Sequence, residues 1–160
     1  MRALVVSVSN RAAAGVYEDT TGPLIAERLV SWGFSVDGPQ VVPDGDPVGE
    51  ALRAAVAASY EVVLTTGGTG VSPTDLTPEM TSAVLDRQLP GVAEAIRAYG
   101  VSKGVPTASL SRGLAGVAGG TVIVNLPGSR GGAKDGLAVL EPILRHAVDQ
   151  VHGGDHVRGD

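Results

Sequence analysis

The sequence contains no cysteine, no run of basic residues and no long apolar stretch. The lack of cysteine excludes disulfide bonds, thiolate nucleophiles and zinc sites built on cysteine. The formal net charge of −5 argues against a nucleic-acid partner. The longest early apolar run, Ala3–Val8, is too short for the core of a signal peptide or for a membrane span. We therefore expect a cytoplasmic protein without a membrane or nucleic-acid partner.

Apolar residues and glycine are plentiful instead. Hydrophobic residues make up 43% and charged residues 18% of the chain, which is typical of a globular rather than a disordered protein. A length of 160 residues suits one domain with its own core. We expect a single domain over residues 1–152 and a frayed polar tail over residues 153–160.

Short apolar runs alternate with amphipathic segments along the chain. The runs Ala3–Val8, Phe34–Val42 and Val62–Thr65 predict strands, and Gly113–Gly119 with Thr121–Leu126 predicts a late hairpin. Strands that alternate with helices indicate right-handed crossovers and parallel pairing. The predicted fold is therefore α/β, with three α/β/α layers, a mainly parallel sheet and one antiparallel hairpin.

Proline and cap residues place the predicted helix boundaries. Asp46-Pro47 predicts a helix that Asp46 caps, and Thr77-Pro78 opens another helix that Pro90-Gly91 breaks. A long closing helix follows Gly128-Ser129, and Pro142 should kink it or split it in two.

Four polar loops follow the carboxyl ends of the predicted strands. Open α/β sheets bind ligands at this edge, where the strand order reverses. The sequence thus places its glycines, hydroxyls and carboxylates on one rim of the molecule. The loops are Ser9–Gly22, Val42–Asp46, Thr65–Asp75 and Asn125–Gly132.

The loop Thr65–Asp75 has the composition of an anion-binding turn. Glycines at positions 67, 68 and 70 let backbone N–H groups turn toward an anion, and the helix that starts near Pro78 adds its positive end. The loop matches neither a Walker A motif nor the dinucleotide fingerprint. On glycine content alone, a tight structural turn is an equal alternative. Hydroxyl donors come from Thr66, Thr69, Ser72 and Thr74.

Asp75 at the end of this loop favours a metal–nucleotide site. A carboxylate beside a phosphate cradle repels the phosphate unless a cation lies between them, and Mg²⁺ commonly binds carboxylates together with phosphate oxygens. Asp44 in the neighbouring loop is a second candidate ligand, although considered alone it suits an ordinary turn.

Two further polar segments lie later in the chain. Gly128 and Ser129 precede a helix and could hold an anionic group there, and a well-capped helix is the alternative. Ser109–Arg112 is a smaller polar cluster to which its chemistry alone assigns no role.

These residues together resemble the MogA/MoaB-type molybdenum-cofactor biosynthesis proteins, a family that includes the G domain of gephyrin. The family signature is an apolar strand, Gly-Gly-Thr-Gly, four residues and Asp, and it stands here as VVLTTGGTGVSPTD at Val62–Asp75. The second signature is Leu126–Ser129, and the resemblance covers about Leu4 to Gln150. Ser7–Asp19 is similar to the adenylyltransferase branch, with a departure from its pattern at Asn10. Gly45, beside Asp44, is a second departure from the family pattern.

The resemblance implies a molybdopterin adenylyltransferase that transfers AMP from Mg-ATP to the terminal phosphate of molybdopterin and releases pyrophosphate. It implies Asp44 and Asp75 as catalytic, Mg²⁺-binding residues. It also implies a homotrimer and hand-over of the product to a molybdate-inserting protein. The substrate-binding set comprises Thr66, Gly67, Gly68, Thr69, Gly70, Ser72, Ser111, Arg112, Gly128 and Ser129.

Three alternatives stay open at the level of sequence. The first is a MoaB-type paralogue that binds molybdopterin with little or no adenylylation. The second is a scaffold module like the G domain in receptor clustering, which usually comes with further domains. The third is a generic nucleotide-binding protein of Rossmann type, although Ser9–Gly15 lacks the glycine pattern for it.

Overall fold

Six strands form one sheet in a computed structural model that describes residues 1–154. Residues 155–160, which make up most of the predicted polar tail, lie outside the described residues. The strands are β1 (Arg2–Val8), β2 (Ser35–Val42), β3 (Val62–Thr66), β4 (Arg87–Gln88), β5 (Ala115–Ala118) and β6 (Thr121–Leu126).

Helices connect the strands and cover the sheet. The α-helices are α1 (Asn10–Ala13), α2 (Thr21–Ser31), α3 (Asp46–Ala57), α4 (Thr77–Ser82), α5 (Pro90–Ser102), α6 (Arg130–Leu140) and α7 (Leu144–Val151). A 3₁₀ helix at Pro106–Leu110 lies between α5 and β5. Among the described residues, no helix combines the length and apolar character needed to span a bilayer.

The strand order is β2-β1-β3-β6-β5-β4. The pairs β1–β2, β1–β3 and β3–β6 are parallel, whereas β5–β6 and β4–β5 are antiparallel. This arrangement confirms the predicted mainly parallel sheet with a late hairpin. The chain leaves β1 toward β2 and then returns to the other side with β3, so the order reverses between β1 and β3. Ligand sites of open α/β sheets form at such a reversal.

Side chains of β1 alternate between two cores. Ala3 and Val5 pack with α2, α6 and α7, whereas Leu4, Val6 and Val8 pack with α3 on the opposite face. The alternation follows from the two-residue period of a strand. Because both faces are covered, the central strands β1, β3 and β6 are almost entirely buried, and the three-layer α/β/α prediction is confirmed.

Two helix boundaries differ from the sequence-based expectations. Gly45 takes the N-cap position of α3 with φ +91°, so Asp46 is the first helical residue and its predicted capping role is wrong. The helix that opens at Thr77 ends at Ser82, well before Pro90. Pro90 does not break this helix but starts the next one, α5. The predicted split near Pro142 is confirmed by the separate helices α6 and α7.

Candidate functional site

A turn of two glycines follows β3 at the point where the strand order reverses. Gly67 and Gly68 have φ of +95° and +66°, which side chains rarely adopt. A Cβ on Gly67 would collide with the carbonyl oxygen of Val8, so the backbones of two loops can only meet here without a side chain. The N–H of Gly67 donates to the carbonyl oxygen of Leu126 at 3.2 Å, and the Thr66 hydroxyl donates to that of Pro127 at 2.7 Å. The first glycine loop is therefore fixed to the loop that carries Gly128 and Ser129.

Asp44 reaches this turn from the neighbouring loop. Its Oδ1 accepts hydrogen bonds from the N–H groups of Gly45 at 2.7 Å and Leu76 at 3.1 Å. Its Oδ2 points at Gly68, where a Cβ would collide with it. The carboxylate thus binds the protein through one oxygen and presents the other to the glycine turn.

Burial raises the pKa of the Asp44 carboxyl above its ordinary value. The negative charges of Asp75 and Glu79 raise this pKa further, and the two backbone N–H groups on Oδ1 oppose the rise. Asp44 is therefore a half-buried carboxylate among like charges, an arrangement that a bound cation would relieve.

Asp75 forms two hydrogen bonds with Ser72 inside the loop that carries both residues. Its Oδ2 accepts from the N–H of Ser72 at 3.0 Å, and the N–H of Asp75 donates to the Ser72 carbonyl oxygen at 3.0 Å. A Cβ on Gly70 would lie 2.8 Å from Asp75 Oδ2, so this carboxylate faces Gly70, two residues after the glycine turn. Asp44 and Asp75, predicted from separate loops, thus lie on one site.

Thr77 is a site residue that the sequence-based reasoning missed. Its side chain is buried, and its Oγ1 has no hydrogen-bond partner among residues 1–154. Like Asp44 Oδ2, Thr77 Oγ1 occupies the space that a Cβ on Gly68 would need. The pair Thr77-Pro78 predicts the start of a helix, and nothing in this local pattern indicates that the Thr77 hydroxyl faces the glycine turn.

Asn10 supports Asp44 from the first loop. Its side-chain Oδ1 accepts a hydrogen bond from the N–H of Asp44 at 2.9 Å. An amide oxygen supplies the same acceptor that a carboxylate would at this position, without adding a negative charge. The departure at Asn10 therefore preserves the contact to the Asp44 loop.

A cavity of about 680 Å³ opens beside the glycine turn. Its far wall is formed by apolar and small residues of α5 and the 3₁₀ helix, including Ile96, Gly100 and Ala108. Such a cavity has the size of a small-molecule site. The predicted site residues on its wall are Gly68, Thr69, Gly70, Asp75, Ser111, Gly128 and Ser129.

A second cavity of about 470 Å³ lies on the other side of the glycine turn, between the first loop and the loop after β6. Asp19 on its wall accepts from the hydroxyl of Ser7 at 2.6 Å and from the N–H of Gly22 at 3.1 Å. Thr66, Gly67 and Gly128 also line it, so Gly128 separates the two cavities. The predicted residues Ser72, Arg112 and Asp44 line neither cavity.

Ser129 caps α6. Its hydroxyl accepts from the N–H of Gly132 at 3.0 Å, as expected for a well-capped helix, and it still borders the larger cavity. Arg130 donates to the carbonyl oxygen of Thr20 at 3.0 Å and joins this loop to the first one.

The arrangement fits a magnesium ion. Among residues 1–154, no three His, Cys, Asp or Glu side chains group as a metal site, so a full protein cage is not built in this region. Mg²⁺ is ordinarily held by one or two carboxylates, with waters and substrate phosphates completing its shell. Asp44 and Asp75 supply two carboxylates, and the Thr77 hydroxyl, which has no hydrogen-bond partner in the described part of the chain, adds a hard oxygen near Oδ2 of Asp44.

Solved structures of two molybdopterin biosynthesis proteins share this fold. A molybdopterin biosynthesis Mog protein from Mycobacterium ulcerans is 57% identical with a TM-score of 0.90, over 94% of this chain and 98% of that one. A molybdopterin biosynthesis enzyme MoaB from Thermus thermophilus is 44% identical with a TM-score of 0.88, over 95% and 96%.

Curated relatives extend the likeness to the sequence. A molybdopterin adenylyltransferase from Escherichia coli is 36% identical over 158 residues, 96% of this chain and 79% of that protein. A molybdenum cofactor biosynthesis bifunctional protein from Chlorobaculum tepidum is 38% identical over 157 residues, 97% of this chain and 50% of that protein. The chain thus spans about half the length of that bifunctional relative.

The family model of a probable molybdopterin binding domain matches residues 4–146, which contain the sheet except for the first two residues of β1, both glycine loops and both carboxylates. This chain therefore belongs to the family of probable molybdopterin binding domains.

Proposed function

We propose that the chain is a molybdopterin adenylyltransferase, which transfers AMP from Mg-ATP to the terminal phosphate of molybdopterin. The observation that carries the proposal is that Asp44 faces Gly68 and Asp75 faces Gly70, within one glycine loop that borders two cavities. An adenylyl transfer needs a place for each of two phosphorylated substrates and a site of negative charge that can hold a cation between them. The relatives named as adenylyltransferases support the same reaction.

The glycine turn and the second loop serve as the substrate-binding wall. Backbone N–H groups and hydroxyls bind phosphate and polar pterin atoms there. Lys103 and Lys134 line the larger cavity and Arg130 lines the smaller one, so positive side chains also offset the charge of two polyanions. The proposed wall consists of Thr66, Gly67, Gly68, Thr69, Gly70, Ser111, Gly128 and Ser129. Substrate binding by Ser72, which lines neither cavity, stays a prediction.

Asp44 and Asp75 hold Mg²⁺ in this proposal. Mg²⁺ held by these two carboxylates would supply neutralisation of phosphate charge and polarisation of the reacting phosphoryl group. An oxygen of the molybdopterin phosphate forms a bond to the α-phosphorus of ATP, and the bond from that phosphorus to the pyrophosphate oxygen breaks. Because the reaction needs little covalent help, the protein contributes mainly by aligning the two phosphates.

The test is pyrophosphate release from purified protein with molybdopterin and Mg-ATP. Chelation of Mg²⁺ should abolish the release, and added Mg²⁺ should restore it. Asp75→Asn keeps an oxygen that can accept from the Ser72 N–H, so circular dichroism should report an unchanged fold while activity falls. Full activity in Asp75→Asn would refute the metal-binding role of this residue.

A second candidate function is a MoaB-type protein that binds molybdopterin with little adenylylation. The 44% identity to the Thermus MoaB structure favours keeping it. Calorimetric titration separates the two proposals, because the paralogue should bind molybdopterin and give no heat with Mg-ATP. The curated relatives named molybdopterin adenylyltransferase favour the adenylyltransferase.

We also propose a homotrimer that acts in the cytoplasm and passes its product to a molybdate-inserting protein. Light scattering coupled to size-exclusion chromatography tests the trimer through its mass in solution. A mass of one or two chains would exclude it.

A further inference from the structure

Arg112 contacts the glycine loop at three places. Its backbone N–H donates to the carbonyl oxygen of Thr69 at 2.8 Å, and its Nε donates to that of Gly70 at 2.8 Å. Its Nη2 donates to the carbonyl oxygen of Asp75 at 2.7 Å. One side chain therefore joins the two ends of the segment 70–75, the segment that delivers the Asp75 carboxylate.

The remaining guanidinium contact fixes the same segment to the helix behind it. Nη1 of Arg112 donates to Oε1 of Glu79, and the two residues form an ion pair. This contact lowers the pKa of the Glu79 carboxyl. Glu79 lies on α4, directly after the loop, so the guanidinium bridges the loop and the helix that follows it.

A second arginine holds the segment that carries Arg112. Nη1 of Arg97, on α5, donates to the carbonyl oxygens of Ser111 at 3.3 Å and Gly113 at 3.0 Å. Arg97 also lines the larger cavity, so the wall of that cavity is connected through residues 111–113 to the loop that carries Asp75.

We propose that Arg112 is a positioning residue whose guanidinium keeps the loop 70–75 in the conformation that presents Asp75 to Gly70. This proposal rests on the proposed function. It gives Arg112 a role other than the substrate contact expected from the sequence. The fork geometry is essential, because the carbonyl oxygens of Gly70 and Asp75 accept from different nitrogens of one planar group.

Lysine cannot reproduce this contact, since an ammonium group is a point charge without a fixed fork. Arg112→Met removes both the charge and the fork, whereas Arg112→Lys removes the fork alone. Arg87→Met, which changes an exposed arginine on the edge strand β4, is the matched control.

Hydrogen exchange of the loop amides measures how well Arg112 stabilises the conformation of the loop 70–75, and it does not depend on catalysis. The N–H groups of Ser72, Asp75, Leu76 and Thr77 all form hydrogen bonds within or beside the loop. We expect these amides to exchange faster in Arg112→Met and in Arg112→Lys than in the wild type, and to exchange at the wild-type rate in Arg87→Met. Wild-type exchange in both Arg112 variants would overturn the proposal.

Kinetics then separate positioning from substrate binding. Misplacement of Asp75 should lower kcat by about 10²-fold, with a smaller change in the KM for ATP and molybdopterin. A raised KM with unchanged kcat and unchanged exchange would show that Arg112 binds substrate and would overturn the proposal, as would faster exchange with unchanged kcat. If the wild-type protein itself released no pyrophosphate, the proposed function would fail, whereas the exchange experiment would still decide whether Arg112 stabilises the loop.

Discussion

The Oδ1 atom of Asp44 lies 3.1 Å from the backbone nitrogen of Leu76, so a carboxylate of one loop accepts a hydrogen bond from the residue directly after Asp75 in another. This contact fixes the relative positions of the two carboxylates. It also leaves Oδ2 of Asp44 to face the glycine turn. The predictions below follow from that arrangement.

Asp44→Asn should abolish most pyrophosphate release while leaving the protein at least as stable as the wild type. The asparagine Oδ1 can accept from the same two N–H groups, so the local fold is retained. Because the pKa of Asp44 is raised in the folded protein, its ionised form is less favourable there than in the unfolded chain.

Because the pKa of Asp44 is raised in the folded protein, the stability difference between the wild type and Asp44→Asn depends on pH. Below the ordinary Asp pKa of about 3.9 the carboxyl is neutral in both states, and its cost disappears. As the pH rises through the elevated folded-state pKa, the wild type loses stability relative to Asp44→Asn. Thermal melts of both proteins should therefore diverge in favour of the variant with rising pH. A variant less stable than the wild type near neutral pH would contradict this account.

Thr77→Val should raise the melting temperature or leave it unchanged, and should lower activity. A buried hydroxyl without a partner costs about 1–3 kcal/mol, and valine removes that cost with a similar shape. Thr77→Ser keeps the hydroxyl and should keep activity. Thermal melts and pyrophosphate release together check the prediction, and full activity in the valine variant would show that the hydroxyl serves packing alone.

Gly68→Ala should damage both the fold and the site. A Cβ would enter the space of Asp44 Oδ2 and Thr77 Oγ1, and φ of +66° is strained for alanine by about 1–3 kcal/mol. Gly91→Ala is the matched control, because nothing lies within 4 Å of a Cβ there. Urea unfolding of both variants measures the difference, and equal stabilities would exclude the steric argument.

Asn125→Ala should destabilise the protein by about 2–3 kcal/mol, because it leaves several buried polar groups without partners. The Asn125 amide donates to the hydroxyls of Thr65 and Thr81 at 3.0 Å each, and its Oδ1 accepts from the N–H of Leu114 at 3.0 Å. These bonds connect β3, β6 and α4 beneath the site. Chemical unfolding checks the prediction, and a loss below about 0.5 kcal/mol would contradict the bridging role.

The sequence was sufficient for the fold because its signals are local. The continuous apolar runs of β1, β3 and β6 indicate strands buried on both faces, and their alternation with helices indicates parallel pairing. The two-residue strand β4 escaped prediction, since Arg87 and Gln88 are polar and their pairing with β5 is set by the distant hairpin.

Glycines 67 and 68, Asp44 and Asp75 were predictable because glycine turns and loop carboxylates follow strands whose carboxyl ends share one edge of the sheet. The contacts that give these residues their roles join segments far apart in the chain. They include the hydrogen bond from the Leu76 N–H to Asp44 and the hydrogen bonds from Arg112 to the loop 70–75. The burial of the Thr77 hydroxyl without a partner among residues 1–154 likewise depends on the tertiary structure. Hydrophobic periodicity fixes which segments become strands and helices, but only packing in three dimensions decides which carbonyl an arginine reaches and which hydroxyl is left without a partner.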